Sequence, residues 1–229
     1  MSLSPSDLAA IEAAVREAEA RTTGEIYCVV AQDSSDYGEI PLAWAAAVAL
    51  LAPVILLVAG VTIDLAGLFG GWSAAHDGPA AARQALIETI VLQAALFAVT
   101  ALVVALPPVR RLMTPRGLKR ARVRRRAQEQ FVAKNLHLTR ERTGVLIFVS
   151  FSEHMAELIA DEGIASLVEP AVWDRAMAAL TAGLKRGEAG AGFAAAVSLC
   201  GDVLAERFPA RAGDNPNELA DAVVILPRV

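Results

Sequence analysis

Two long apolar stretches, Leu42–Ile63 and Thr89–Leu106, sit inside a chain that otherwise alternates in the manner of a water-soluble α/β domain. The first runs 22 residues without a charge, and the second runs 18, directly after Glu88. A bilayer's hydrocarbon core takes about 20 apolar residues of helix, because no main-chain polar group can be left unpaired in lipid. Both stretches meet that length, so an integral membrane protein is expected. A buried core helix is the alternative, to which Pro53, Gln93 and Thr100 lend some support. Charge-free runs this long are rare in helices of soluble domains. The first forty residues are too polar for a cleavable leader, so the first span is expected to be retained.

The flanks orient the pair. Nine bases follow the second stretch: Arg110, Arg111, Arg116, Lys119, Arg120, Arg122, Arg124, Arg125 and Arg126. The connection between the stretches holds Arg83 as its one base, against Asp64, Asp77 and Glu88. Lys and Arg near membrane helices stay on the cytoplasmic side. Two spans then leave residues 1–41 and 107–229 both cytoplasmic, a multi-pass arrangement in the cell's inner membrane. Trp44 and Trp72 sit near the ends of the first span, where amphipathic rings favour the interface.

The net charge of −4 conceals a split: residues 1–40 carry −6, residues 41–127 carry +7 and residues 128–229 carry −5. The basic collar Arg110–Arg126 suits anionic headgroups of the lipid bilayer, at about 1 kcal/mol per base. It lacks the interleaved aromatic residues that would stack nucleobases, so no nucleic acid is expected. Cys28 and Cys200 lie in apolar segments far apart, without zinc-ligand spacing, and read as buried reduced thiols.

Residues 6–21 read as a helix and Glu25–Ala31 as a strand, too little to bury a core alone. Their partners lie beyond the second apolar stretch. A charged helix spans Arg116–Asn135, strands follow at Val145–Phe151 and Ala156–Ala160, and helices at Val172–Leu184 and Phe193–Phe208. Gly187–Gly192 reads as a linker between those helices, and Ala222–Leu226 closes as a strand. The expected fold class is α/β, a Rossmann-like layered sandwich of about four strands with helices on both faces and an inserted two-helix transmembrane hairpin. The domain division expected is 1–40 with 128–229 as the split domain. The hairpin takes 41–106, with spans near 42–63 and 87–106, and a basic juxtamembrane helix or linker takes 107–127.

Candidate chemistry is sparse. Asp33 and Asp36 follow the first strand, and ligands of open α/β sheets gather beyond strand C-terminal ends. If the first two strands are parallel, these carboxylates approach Ser152, Glu153 and His154. Asp33, Asp36 and Glu153 would then offer hard oxygen ligands to Mg²⁺ or Ca²⁺. The same residues are default turn formers. Asp161 and Glu162 should lie at the opposite end of the sheet, facing Arg140 and Arg142. The stretch Asp214–Glu218 with Asp221 lacks the glycine and bidentate Glu of an EF-hand and reads as a turn. No Gly-x-Ser-x-Gly turn is present, which argues against a serine hydrolase.

An ordered set of motifs carries a family resemblance: Thr23-Gly24-Glu25-Ile26; Thr143-Gly144-Val145 into its strand; Ile159-Ala160-Asp161-Glu162-Gly163-Ile164; Trp173; Gly192-Phe193; and Asn217-Glu218-Leu219-Ala220-Asp221. Together they resemble the TPM domain family, in a membrane-anchored bacterial branch with the hairpin inserted after the first strand. The resemblance implies a Rossmann-like fold. It also implies either an accessory or assembly role, with a membrane-protein partner, or divalent-cation-dependent hydrolysis of phosphomonoesters. Ala160-Asp161-Glu162-Gly163-Ile164 stands where the commoner pattern carries a Gly-Tyr-Gly-Leu-Glu-type segment. The accessory or interaction module is the leading expectation, with the phosphatase as the alternative.

Overall fold

In a computed structural model, which describes residues 3–60, 79–211 and 219–228, β1 (Glu25–Ala31) and β2 (Gly144–Ser150) bury every residue. They pair in parallel with Glu25 opposite Gly144 and Ala31 opposite Ser150. Near-continuous β-branched runs suit strands covered on both faces. β3 (Met155–Ala160) runs antiparallel beside β2, and the short β4 (Val224–Leu226) runs parallel beside β1. The sheet order is β3-β2-β1-β4. The chain is thus α/β with a mixed four-stranded sheet.

Alternation splits the strands between two cores. Ile26, Cys28, Val30, Val145, Ile147 and Val149 face α1 (Pro5–Glu19), α7 (Pro170–Arg186) and α8 (Ala189–Arg207). Tyr27, Val29, Ala31, Leu146 and Phe148 face α5 (Arg116–Ala133), which contributes Val123, Ala127 and Phe131. Helices therefore cover both faces. α1 starts on a capping box in which the Ser4 hydroxyl accepts from the Asp7 N–H and the Asp7 carboxylate accepts from the Ser4 N–H.

Two differences from the expected elements have physical causes. Residues 189–192 are already helical rather than a linker, because Gly183 and Gly192 face each other where α7 and α8 cross. A Cβ on Gly183 would collide with the Gly192 backbone, so glycine here sets interhelical distance rather than breaking a helix. Asp161, expected only as a turn, caps a short helix α6 (Glu162–Ala165) by accepting from the Glu162 N–H at 2.7 Å.

The chain divides into two compact units, residues 1–36 with 116–229, and residues 37–115. The return boundary falls at 115/116 rather than 127/128, since Val123, Ala127 and Phe131 of α5 belong to the sheet's core. In the second unit α2 (Glu39–Val58) and α3 (Pro79–Ala105) pack side by side, followed by α4 (Pro107–Met113). Ala45, Ala49 and Val104 are buried in it, and the Trp44 Nε1–H donates to the Met113 carbonyl at 3.1 Å. Three helical segments among the described residues are long and apolar enough to cross a membrane: Glu39–Val58, Ala82–Ala105 and Ala189–Arg207. The end of the first apolar stretch, the connection holding Trp72 and His76, and the turn Asp214–Glu218 lie outside the described residues.

Candidate functional site

The parallel pairing of β1 and β2 delivers the loop 32–38 and the turn 151–154 to the same end of the sheet. Main-chain bonds stitch them: the Phe151 N–H donates to Ala31 O at 3.0 Å and the Ser152 N–H to Gln32 O at 2.9 Å. Glu153 completes the junction. Its Oε1 accepts from the Ser34 N–H at 3.2 Å and its Oε2 bonds the Ser150 hydroxyl, with the residue 7% exposed. A carboxylate this buried needs such donors, because an unsatisfied buried charge costs several kcal/mol.

Asp33 is half-buried and Asp36 exposed on the same loop, each with interactions of its own. Among the described residues, no three His, Cys, Asp or Glu side chains are grouped so that they could hold a metal ion. The three carboxylates expected as ligands, Asp33, Asp36 and Glu153, therefore do not form such a group. Glu153 is turned onto two serines, where it ties two loops together.

The far end of the sheet holds a separate polar cluster. The Asp161 N–H donates to Gly144 O at 2.9 Å, which sets its carboxylate beside Arg142. Arg142 reaches Asp161 at 3.2 Å and Glu162 at 3.3 Å. The salt-bridged turn expected there is present, with Arg142 as the base. The two acidic groups stand at opposite ends of the strands and cannot share one ligand.

A third group had no sequence signal. The Ile26 N–H donates to Glu19 Oε1 at 2.9 Å, and Glu25 is 5% exposed at the start of β1. Burial pushes the Glu19 carboxyl up to about 8, and the nearby Glu25 and Asp221 add to the rise. Nothing in Glu19's spacing distinguishes it from a solvated helix residue. Cys28 and Cys200 are free and buried, and burial raises both thiols, Cys200 to about 12.

An opening lies under the turn 151–154, between the start of β3 and the last turns of α7. It encloses about 130 Å³. Phe151, Ala156 and Leu184 give it an apolar floor, while His154, Thr181 and Lys185 stand at its polar side.

No family model matches this chain, and no curated protein matches it. Among solved structures it is similar to the NMR structure of BA42 protein from the psychrophilic bacterium Bizionia argentinensis, with a TM-score of 0.56. The two share 18% identity, over 99% of this chain and 97% of that one. At that identity the likeness is one of fold.

Proposed function

We propose that this chain is an integral inner-membrane protein whose split, TPM-like α/β unit works on the cytoplasmic side as an accessory or interaction module. One observation carries the reading. α2 and α3 present large apolar side chains outward along their length: Leu50, Leu51, Val54, Ile55, Leu57, Val58, Ile90, Val91, Val99 and Leu102 are all more than half exposed. Each such side chain left in water forgoes about 1.5–3 kcal/mol of burial. A hydrocarbon solvent satisfies that many at once.

Three further observations support it. The bases from Arg110 to Arg126 follow α3 immediately, which favours cytoplasmic ends and contact with anionic headgroups. Trp44 and Met113 meet, bringing the start of α2 to the segment after α3, as an antiparallel membrane pair requires. Glu153, the most buried of the candidate carboxylates at this end of the sheet, is held by the Ser34 N–H and the Ser150 hydroxyl as a loop tie, which favours a module over a hydrolase.

Reporter fusions at residues 1 and 229 should both read cytoplasmic, and the protein should stay in the membrane fraction through alkaline washing. The purified protein should show no turnover of a generic phosphomonoester with Mg²⁺ or Ca²⁺. Metal-dependent turnover lost on Asp33→Asn would replace the module with a divalent-cation-dependent phosphatase.

A further inference from the structure

β3 is the outermost strand of the sheet on its side. Its pairing with β2 fixes which main-chain groups point where. The Asp161 N–H donates to Gly144 O, and the register places Leu146 opposite Ile159 and Phe148 opposite Glu157. In an antiparallel ladder hydrogen-bonded and non-bonded pairs alternate. Met155, Glu157 and Ile159 therefore bond to β2, while the N–H and C=O groups of Ala156, Leu158 and Ala160 point outward. Such an edge is a template for another strand.

The side chains of these three residues turn toward the α7 and α8 layer and pack against its core. A strand laid antiparallel along β3 would place its C-terminal end beside Ala156, and the residue opposite Ala156 would point to the same face. That is where the 130 Å³ cavity opens, with Ala156 in its wall. A water molecule's share of liquid is about 30 Å³, so the cavity takes a small aliphatic side chain or a few waters. Lys185 supplies positive charge, and Thr181 and His154 supply further donors at the polar side. Positive charge and donors at the end of an extended site match a carboxylate.

We propose that the outer edge of β3 and the cavity at its start bind the free C-terminus of an extended polypeptide that ends in a small aliphatic residue. The peptide adds as a fifth strand. Its main chain bonds Ala156, Leu158 and Ala160, its terminal side chain enters the cavity over Phe151 and Leu184, and its carboxylate meets Lys185. The proposal rests on the interaction-module reading and names the chemistry of the partner.

Full-length protein in detergent is offered two arrays of the same hexapeptides, one with free C-terminal carboxylates and one amidated. Peptides ending in Val, Ile or Leu should be retained on the acid array and at least about tenfold less on the amidated one, the loss of one charge-assisted contact. Lys185→Glu should lower acid-array retention to the amide level, and Lys185→Arg should preserve most of it. Ala156→Pro removes an outward N–H without touching the β2 ladder and should abolish retention with an unchanged unfolding temperature. Equal retention on both arrays, no retention on either, or Lys185→Glu behaving as wild type would overturn the site. Those results leave the module itself standing if the globule still crosslinks to a membrane protein, whereas metal-dependent phosphatase turnover would remove the module instead.

Discussion

α8 and α2 are both long and apolar enough to cross a bilayer, yet the fold buries them to very different degrees. Half of α8's apolar window is buried within its own unit, against 17% for α2 and 6% for Ala82–Ala105 of α3. The residue sizes explain it. α8 is rich in Gly and Ala, and of its larger apolar residues Phe193, Val197 and Leu204 are fully buried in the core it shares with α1, α7 and the sheet, with Leu199 and Val203 partly buried against it. α2 directs Ala45 and Ala49 inward and sends Leu50, Leu51, Val54 and Leu57 outward. Length and apolarity admit a helix to lipid; which face carries the bulk decides whether it needs lipid.

The sharpest way to break that contrast is to place a charge on each helix. Ala196→Arg puts a guanidinium into a fully buried position of α8 and should unfold the globule, at a cost of several kcal/mol, read by protease sensitivity in detergent. Leu51→Arg, near the middle of α2, should leave the globule folded but oppose membrane insertion by about 2.5–3.5 kcal/mol, read by extraction with alkaline wash. Equal loss of fold in both variants would erase the distinction.

Truncation should sharpen it. Phe193→Ala empties a fully buried ring site and should lower stability by about 3–5 kcal/mol in a denaturant titration of the detergent-solubilised protein. Leu57→Ala, at a position 80% exposed, should change the same titration by less than about 0.5 kcal/mol.

A smaller effect is expected from pH. The Glu19 carboxyl is raised from its ordinary 4.5 to about 8, so the folded state prefers it protonated. That contribution is full below pH 4.5 and is lost as pH rises toward about 8, so stability should fall across this window. Glu19→Gln should flatten the slope, since its carbonyl can still accept from the Ile26 N–H. A modest effect is also expected of Arg142→Ala. Its guanidinium is half exposed, and loss of the contacts to Asp161 and Glu162 should cost about 1 kcal/mol.

Much of the fold was legible where a residue run has one physical meaning. Glu25–Ala31 and the Val145 run are β-branched enough to announce buried strands, and the structure starts the second one residue earlier, at Gly144, where any Cβ would meet the Leu136 carbonyl. The parallel pairing that brings Glu153 toward the loop after β1 enters the sequence reading only as a condition, and the structure meets it. The rest was hidden because its cause is tertiary. Gly190 and Gly192 look like helix breakers until Asp7 of α1 lies against the first and Leu180 and Gly183 of α7 against the second. Arg116–Ala133 reads as a charged helix, but its thin apolar face does not reveal that Val123, Ala127 and Phe131 enter the sheet's core. Glu153 reads as a ligand because a sequence cannot show that Ser34 and Ser150 already occupy it.

The pairing of Cys28 with Ile147 spans 119 positions of chain. At ribosomal rates of about 5–20 residues per second, β1 is made roughly 6–24 seconds before its neighbour exists. During that interval a seven-residue sticky segment has no sheet to join, and α2 and α3 are synthesised in the gap. Under the membrane reading proposed above, those helices reach the bilayer before the globule can close around β1.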